Sequence, residues 1–392
     1  MHGATMTLFT IPFRRLGKPL LALLLATGFF AAVASAQTIE TTAREALIID
    51  ATTDTVLLEH NADERMPTAS MSKIMTMYMV FEALDQGRLS LDDLLPVSER
   101  AWRVEGSRMF IEVGDQVPVE DLIRGVIVQS GNDSAIALAE ALGGTEEGFA
   151  RQMTERAREL GMTNSNFMNS TGLPDPDHYS TAHDLALLAQ RLIADFPQYY
   201  HYYSEIEFTW NDITQGNRNP LLYRDLGADG LKTGHTSEAG YGLTGSAERN
   251  GRRIIVVVNG LESAQARADE AARLLEWAFR EFDAVHLFDA GETVTVAGVW
   301  QGDPAEVPLV VAEDLSMTLA RGASGEVEVV AGWDGPLPAP IAAGDSLGSL
   351  TIRVPGIPDR DVPLVAGANV GEQGFFGRIV SGVGGLVGGV TN

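Results

Sequence analysis

The chain has 392 residues, of which 45% are hydrophobic, 7% aromatic and 21% charged, and its formal net charge is −25. This is an ordinary globular composition, long enough for two domains, and the negative charge argues against nucleic acid as a partner. An anionic substrate would need cations in its binding site to overcome the negative electrostatic field of the whole protein. The sequence contains no cysteine, which excludes disulfides and thiol chemistry.

The first 36 residues have the pattern of a secretory signal peptide. Three basic residues within positions 14–18 precede an uncharged apolar stretch over residues 20–34, and Ala-Ser-Ala at positions 34–36 is a small-residue cleavage site. The alternative is a retained membrane-spanning helix, but the short apolar core and the cleavage site favour removal. We therefore expect an exported protein, and export without cysteine suits a bacterial periplasm.

The segment that follows has the patterns of an α+β protein. Residues 46–50 and 55–59 predict two strands, and residues 97–110 predict a loop. Apolar residues at helical spacing predict several helices in the next part of the chain, with Ser180 as the expected N-cap of the last one. These helices cover residues 119–127, 132–142, 145–160 and 180–196.

A second group of strands comes next. A strand is predicted over residues 230–236 and a hairpin over residues 241–259, because the Asn-Gly pair at 250–251 is a strong turn signal. A helix over residues 267–282 follows. Strands from the two ends of this region can join into one antiparallel sheet, flanked by helices and with an all-helical insert between them, which makes the fold class α+β.

Helical periodicity disappears after Asp283. Short β-rich runs between Gly, Pro and Asp clusters predict a small all-β domain over residues 284–366, after a first domain over residues 37–283. The tail, residues 367–392, has an apolar helical face that favours an interfacial membrane anchor. Its single cation, Arg378, and its many glycines instead favour a tail that packs on a domain or stays disordered. The β-rich runs cover residues 293–296, 307–312, 326–331 and 350–354.

One chemical motif lies at the start of a further predicted helix, which precedes those listed above and is indicated by apolar residues at helical spacing over residues 71–81. Ser70 and Lys73 are three residues apart and therefore share a helical face, so the lysine can reach the hydroxyl. The free backbone N–H groups of a helix start add a partial positive charge beside the serine. Ser-x-x-Lys alone arises by chance in a chain of this size, so the motif needs support from elsewhere in the sequence.

Two further motifs supply that support. Ser130 and Asn132 form a Ser-x-Asn motif between two predicted helices, and Lys232-Thr233-Gly234 lies on a predicted strand. Ser-x-x-Lys, Ser-x-Asn and Lys-Thr-Gly in this order are typical of penicillin-binding proteins and class A β-lactamases. Serine and asparagine also cap helices well, and capping is compatible with a catalytic role.

With these motifs the chain resembles the D-alanyl-D-alanine carboxypeptidases of the low-molecular-mass penicillin-binding protein 5 and 6 family, of peptidase S11 type. The resemblance runs from about residue 46 through the tail and is strongest at residues 69–73, 129–133 and 229–236. It also includes residues 216–219 and the start of the tail at residues 375–378. The implied fold is β-lactamase/transpeptidase-like, with a five-stranded antiparallel sheet.

The resemblance implies three catalytic residues. Ser70 would be the nucleophile, Lys73 its base, and Ser130 the group that passes a proton to the leaving group. Backbone N–H groups of Ser70 and His235 would form the oxyanion hole. A lysine can serve as a base only if its pKa falls towards neutrality, and burial and a second cation, for which Lys232 is the obvious choice, would both lower that pKa.

The resemblance also implies the substrate-binding residues. Asn132 would hold the substrate amide, and Lys232 with Arg218 and Arg267 would bind a terminal carboxylate. From the pattern alone, Arg267 could equally form a surface salt bridge and Arg218 could be a simple turn residue. The full expected set is Asn132, Lys232, Thr233, Gly234, His235, Arg218 and Arg267.

The reaction so implied removes the terminal D-alanine from the peptidoglycan stem pentapeptide through an acyl-enzyme, with β-lactam antibiotics as covalent inhibitors. Its biological context would be cell wall biogenesis and cell shape. No cofactor is expected, and the seven histidines show no metal-binding spacing. We expect a periplasmic location, with the tail as a candidate attachment to the outer face of the inner membrane.

The sequence departs from the family in two places: the loop over residues 97–110 is shorter, and the tail lacks the usual mix of aromatic residues and cations. Two alternative functions remain. A β-lactamase would need a glutamate base between the second and third motifs, and the nearest proline-rich segment, residues 173–177, has none. A non-catalytic envelope scaffold would not need the three intact motifs.

Overall fold

The computed structural model describes residues 5–11, 39–323, 327–355 and 357–374. The chain divides into two compact units, one of residues 37–281 and one of residues 282–392 together with residues 1–36. Apart from residues 5–11, the predicted signal peptide lies outside the described residues, as does the tail from residue 375. Both therefore remain predictions.

The first unit is built on one antiparallel sheet of five strands, as predicted. The two strands nearest the N-terminus join the C-terminal hairpin, with Leu47 opposite Val257. Asn250 and Gly251 turn the hairpin with φ values of +54° and +78°, the combination that a tight two-residue turn requires. Across the sheet the strands are Thr55–His60, Glu45–Asp50, Arg252–Leu261, Gly240–Arg249 and Ala228–Thr236.

The helical insert lies between the second and third of these strands in sequence. The helix Lys73–Asp85, here called the central helix, is buried nearly all round, because apolar side chains cover all of its faces. The helices Ala182–Asp195 and Ala264–Glu281 both pack against the strand Arg252–Leu261. The α-helices of the described residues are Lys73–Asp85, Glu99–Arg103, Val119–Ile127, Asn132–Gly143, Glu146–Glu159, Ala182–Asp195 and Ala264–Glu281.

Shorter elements complete this unit. Three short 3-10 helices cover Ala69–Ser72, Tyr200–Ser204 and Pro220–Tyr223. Two small hairpins pair Leu94–Pro96 with Gln116–Pro118 and Glu207–Trp210 with Ile213–Gly216.

Two local predictions need correction. The helix predicted from Ser180 begins at Ala182, and its N-cap is Thr181, whose hydroxyl accepts the backbone N–H of Asp184 at 3.0 Å. Ser180 instead pairs through its backbone with Met66, so it is not free to cap. The predicted loop over residues 97–110 contains a short helix, Glu99–Arg103.

The second unit is all-β, as predicted. Its main sheet has seven strands, and one of them, Thr5–Ile11, pairs antiparallel with Glu328–Gly335. Each predicted β-rich run falls on a strand, whereas Phe282–Phe288, Leu315–Ala320 and Ile357–Ala366 were not predicted. The remaining strands are Thr293–Trp300, Gly302–Asp303, Glu306–Val311, Leu337–Pro338, Ser346–Val354 and Gly371–Glu372. Within the described residues, none of the helices is both long and apolar enough to cross a bilayer.

Candidate active site

Ser70 lies in the short turn Ala69–Ser72, which leads directly into the central helix. Ala69 has a φ of +47°, a left-handed conformation that is strained for a residue with a Cβ. A neighbouring loop passes very close to this turn at Gly172, where an added Cβ would collide with the carbonyl oxygen of Ala69. Surrounding contacts therefore hold the serine turn in a strained conformation, as often occurs at functional sites.

Lys73 is fully buried, at 0% exposure, and its Nζ donates to Ser70 Oγ at 2.9 Å. The same Nζ donates to Asn132 Oδ1 and to the carbonyl oxygen of Thr171, both at 2.7 Å. These last two oxygens can only accept hydrogen bonds. When the amine is neutral it has two N–H groups and one lone pair, so donating to both oxygens leaves the lone pair directed at Ser70. The geometry is that of a base placed to take the serine proton.

Burial also gives Lys73 the pKa that such a base needs. It lowers the pKa of Lys73 from its ordinary value of 10.5 to about 7, against the opposing charge of Asp133. The charge of Arg218 adds to the lowering. Arg218 is thus one further cation acting on Lys73, and the predicted Lys232 is another, because the repulsion by which Lys73 lowers the pKa of Lys232 is mutual.

Ser130 and Lys232 form a second hydroxyl–amine pair in the site. Lys232 is 2% exposed, and its Nζ donates to Ser130 Oγ and to the carbonyl oxygen of Thr233, each at 3.0 Å. Burial lowers the pKa of Lys232 well below its ordinary value, and the charges of nearby cations lower it further; these cations are Lys73, Arg218 and Arg267. The three sequence motifs therefore meet at one place.

Asn132 joins the base to the rim of the site. Its Oδ1 accepts from Lys73, and its Nδ2 donates to the carbonyl oxygen of Glu105 at 2.7 Å. The neighbouring Asp133 is buried and accepts the backbone N–H groups of Met109 and Phe110, each at 2.9 Å. The Ser-x-Asn motif thus orients the base and holds the loop over residues 105–111, while contact between Asn132 and a substrate amide remains a prediction.

The cations expected to bind a carboxylate surround Lys232. Arg267 is 9% exposed, and its Nε has no hydrogen-bond partner among the described residues. Its guanidinium lies 5.8 Å from the ring centre of Tyr241, and burial lowers its pKa. A buried cation without a counter-ion is costly, so this position favours an incoming anion. Arg218 is exposed and acts on both lysines through its charge.

The strand Ala228–Thr236 is an edge strand, so one row of its backbone groups is not used by the sheet. It packs against the serine turn. Gly234 allows this approach, since a Cβ there would lie 2.6 Å from the carbonyl oxygen of Thr68. The side chain of His235 is exposed and stacks on Tyr241 with 3.9 Å between ring centres. An oxyanion role for its N–H is consistent with this placement and remains a prediction.

Sequence reasoning missed the backbone acceptors of the site. The carbonyl oxygens of Thr171 and Glu105 hold Lys73 and Asn132, and every residue type has such a carbonyl, so no motif could have identified them. Within the described ranges, no group of three or more His, Asp or Glu side chains could hold a metal ion.

Comparison with known proteins agrees with this geometry. Residues 31–263 match the peptidase S11 family, D-alanyl-D-alanine carboxypeptidase, and residues 282–372 match the C-terminal domain of penicillin-binding protein 5. The D-alanyl-D-alanine carboxypeptidase DacC of Escherichia coli (strain K12) is 41% identical over 359 residues, which are 89% of this chain and 90% of that protein. DacA of Haemophilus influenzae is 38% identical over 344 residues, covering 86% of this chain and 88% of that protein.

Solved structures give the same result. Penicillin-binding protein 5 from Haemophilus influenzae has a TM-score of 0.82 and 37% identity, covering 86% of this chain and 100% of that chain. Penicillin-binding protein D2 from Listeria monocytogenes, in its ampicillin-bound form, has a TM-score of 0.58 and 33% identity, covering 62% of this chain and 100% of that chain. The predicted resemblance is therefore confirmed: the chain belongs to the peptidase S11 family of D-alanyl-D-alanine carboxypeptidases.

Proposed function

We propose that the protein removes the terminal D-alanine from peptidoglycan stem pentapeptides through an acyl-enzyme on Ser70. One observation carries this proposal: the buried Lys73 amine lies 2.9 Å from the Ser70 hydroxyl and is oriented by two oxygens that can only accept. Nucleophilic catalysis by serine needs an activated hydroxyl, a proton carrier and a stabilised oxyanion. The contacts of Lys73 and Ser130 support the first two requirements, and the oxyanion role of the Ser70 and His235 N–H groups remains a prediction.

Acylation begins with proton transfer. Neutral Lys73 takes the Ser70 proton as Oγ attacks the carbonyl carbon of the penultimate D-alanine, forming a C–O bond and a tetrahedral oxyanion. Backbone N–H groups of Ser70 and His235 would stabilise this oxyanion, and losing one such donor typically costs about 3 kcal/mol of barrier.

Collapse of the tetrahedral intermediate breaks the C–N bond to the terminal D-alanine. The departing nitrogen takes a proton from the Ser130 hydroxyl, which lies 3.0 Å from Lys232 Nζ. The Ser130 alkoxide then takes the proton that Lys73 removed from Ser70, which leaves Lys73 neutral again, and the leaving group departs as free D-alanine. Attack of water on the acyl-enzyme, with Lys73 as base, regenerates Ser70.

Selectivity for a peptide with a free C-terminus follows from the cations. Arg267 is buried without a hydrogen bond to its Nε in the described part of the chain, and an arriving carboxylate would supply the missing counter-charge. Binding this anion would also favour the charged form of Lys232. The local cations overcome the repulsion expected from a net charge of −25.

The same geometry suits β-lactam antibiotics, which present an acyl carbonyl and a carboxylate. The ampicillin-bound form of penicillin-binding protein D2 from Listeria monocytogenes supports β-lactam binding by this chain, and the Ser70–Lys73 geometry supports acylation at Ser70. A β-lactamase is disfavoured because the two buried carboxylates whose charges act on Lys73 are both held by other groups. Glu146 is bound by Arg100 and Ser170, and Asp133 accepts backbone N–H groups of the loop over residues 105–111, so neither is free to activate water for fast deacylation. A non-catalytic scaffold is disfavoured by the intact hydroxyl–amine pairs.

The location is also part of the proposal. We infer export to the periplasm from the predicted signal peptide, and attachment to the outer face of the inner membrane through residues 367–392. Fractionation of cells expressing the full chain, compared with a chain ending at residue 374, would test the attachment. Recovery of both forms in the soluble periplasmic fraction would contradict it.

Intact-mass spectrometry after incubation with penicillin tests the activity. We expect one adduct, which maps to Ser70 and is lost in Ser70→Ala, and we expect the unmodified protein, but not Ser70→Ala, to release D-alanine from a D-Ala-D-Ala peptide. Ser204→Ala, which changes an exposed serine distant in sequence from the motifs, is the matched control. Hydrolysis by Ser70→Ala, or an adduct on another residue, would refute the assignment.

A further inference from the structure

Among the described residues, Lys73 Nζ donates to one backbone oxygen, the carbonyl of Thr171 at 2.7 Å, which belongs to a loop. This oxygen and Asn132 Oδ1 together fix the direction of the lysine lone pair. The position of the base therefore depends on whatever fixes the loop over residues 169–173. Three consecutive residues of that loop donate their backbone N–H groups to a single side chain.

That side chain is Asn169. Its Oδ1 accepts the backbone N–H groups of Thr171, Gly172 and Leu173 at 3.1, 2.7 and 3.2 Å, and the Thr171 hydroxyl at 2.9 Å. Its Nδ2 donates to the carbonyl oxygen of Leu173 at 3.0 Å. One amide group thus closes the turn from both sides, in the way that asparagine side chains often stabilise turns.

The residue between Asn169 and Thr171 is held independently. Ser170 donates its N–H and its hydroxyl to Glu146 at 3.2 and 2.9 Å, and its carbonyl oxygen accepts from Thr76 on the central helix at 2.7 Å. Ser170 is therefore fixed to the same helix that carries Lys73. From this fixed point, the Asn169 contacts determine which way the next carbonyl, that of Thr171, is directed.

The loop has little room to adjust. Gly172 has a φ of +79°, and an added Cβ there would collide with the carbonyl oxygen of Ala69 in the serine turn. A loop that relaxes would therefore disturb the contact with Lys73 and the packing on the Ser70 turn together. Misplacing a catalytic group by about 1 Å can cost about 100-fold in rate.

We propose that Asn169 is a positioning residue for the general base: by closing the turn over residues 171–173, it holds the Thr171 carbonyl on Lys73 and directs the lysine lone pair at Ser70. This inference rests on the proposed function. Asn169 does not itself contact Lys73 or Ser70 in the described structure, and its effect acts through the backbone. Its loss should slow acylation while leaving the carboxylate-binding cations unchanged.

The test separates binding from chemistry. The rate constant for acylation by a fluorescent penicillin, and the dissociation constant of the preceding noncovalent complex, are measured by rapid mixing for the full chain and its variants. We expect Asn169→Ala to lower the rate constant about 10- to 100-fold while the dissociation constant changes less than about 3-fold. Asn169→Asp keeps the acceptor oxygen and should stay within about 5-fold of the unmodified protein at pH 9, where Lys73 is neutral.

Asn166→Ala is the matched control. Asn166 lies on the same segment and donates to the carbonyl oxygen of Asp177 at 2.6 Å, but it does not bind the turn over residues 171–173 in the described contacts. This variant should match the unmodified protein in acylation rate, whatever its effect on melting temperature. If Asn169→Ala fails to fold, Asn169→Gln, which moves the amide by one methylene, replaces it in the comparison with Asn169→Asp.

Each other outcome overturns the inference. An Asn169→Ala rate within 3-fold of the unmodified protein would show that the turn holds without this side chain. Equal losses in Asn166→Ala, or no recovery in Asn169→Asp at pH 9, would indicate a general effect on stability. Absence of any Ser70 adduct in the unmodified protein would instead refute the proposed function, so the two failures can be distinguished.

Discussion

Lowering the pH below 7 should switch off acylation of Ser70, because the reaction needs a neutral Lys73. Burial lowers the pKa of Lys73 from 10.5 to about 7. At pH 7 about half of the lysine is then neutral, whereas an ordinary lysine would be neutral in about one molecule in 3,000. This shift in pKa corresponds to a free energy of about 5 kcal/mol, by which the buried site disfavours the charged form of Lys73 relative to water.

The second-order rate constant for labelling by a fluorescent penicillin, measured from pH 5 to 9, tests this reasoning. We expect a plateau above about pH 8, a tenfold fall per pH unit below 7, and about 1% of the plateau at pH 5. Circular dichroism at each pH controls for unfolding. A rate that does not change between pH 5 and 8, or one that still rises tenfold between pH 8 and 9, would refute the assignment of Lys73 as the base.

A variant should move this profile in a stated direction. The charge of Arg218 lowers the pKa of Lys73, so Arg218→Gln should move the midpoint of the rate profile to higher pH. Arg218 is exposed, and salt should therefore reduce the difference between the two proteins. A midpoint that moves to lower pH would contradict the electrostatic account.

Three further predictions concern other parts of the first unit. Arg267→Gln should weaken binding of a peptide with a free C-terminal carboxylate about 10- to 100-fold but leave binding of the corresponding C-terminal amide nearly unchanged. Both affinities can be measured by inhibition of penicillin labelling. Equal losses for the two peptides would contradict carboxylate binding by Arg267. Burial lowers the pKa of His178 from 6.5 to about 4, so its contribution to the free energy of unfolding should fall by about 3 kcal/mol as the pH drops from 6.5 to 4. Chemical denaturation of His178→Gln should lack this part of the pH dependence. The same pH dependence in the variant and the unmodified protein would refute this account of His178. Gly172→Ala should destabilise the protein by about 3 kcal/mol or more and abolish labelling, because the added Cβ would collide with Ala69. Gly114 has a φ of +86° but open space around it, so Gly114→Ala should cost only about 1 kcal/mol. Similar melting temperatures for the two variants would contradict the steric argument.

Much of the first unit could be predicted because local signals agree with the fold. The helix Val119–Ile127 has the predicted bounds, and the Asn-Gly turn fixes the hairpin. The N-cap of the helix Ala182–Asp195 was assigned one residue early because Ser180 and Thr181 are both good capping residues. Only the tertiary pairing of Ser180 with Met66 decides between them, and the sequence does not contain that information locally.

The strand Ile357–Ala366 shows why parts of the second unit escaped prediction. Its sequence contains two prolines and three charged residues, which disfavour a strand between two others. It nevertheless pairs with Ser346–Val354 on one side and with Glu306–Val311 on the other, with register shifts in the first pairing. Irregular pairing of this kind tolerates residues that a regular strand would exclude.

The candidate site was likewise predicted only in part. Ser70, Lys73, Ser130 and Lys232 belong to motifs, and Lys73 lies within hydrogen-bond distance of Ser70 as the motif spacing predicts. The contact of Lys232 with Ser130 was not predicted. Asn169 belongs to no motif, since its importance comes from the backbone groups that it binds. A sequence pattern identifies side chains that react, but it gives little information on those that shape the backbone around them.

The use of main-chain carbonyls to hold Lys73 and Asn132 has a consequence for how this enzyme can diversify. The side chains of Thr171 and Glu105 are not themselves the groups that bind Lys73 and Asn132. Substitution of the exposed Glu105 can therefore change the surface beside the site while the carbonyl that holds Asn132 is inherited intact. Thr171 is less free to vary, because its hydroxyl donates to Asn169 within the turn that directs its own carbonyl at Lys73.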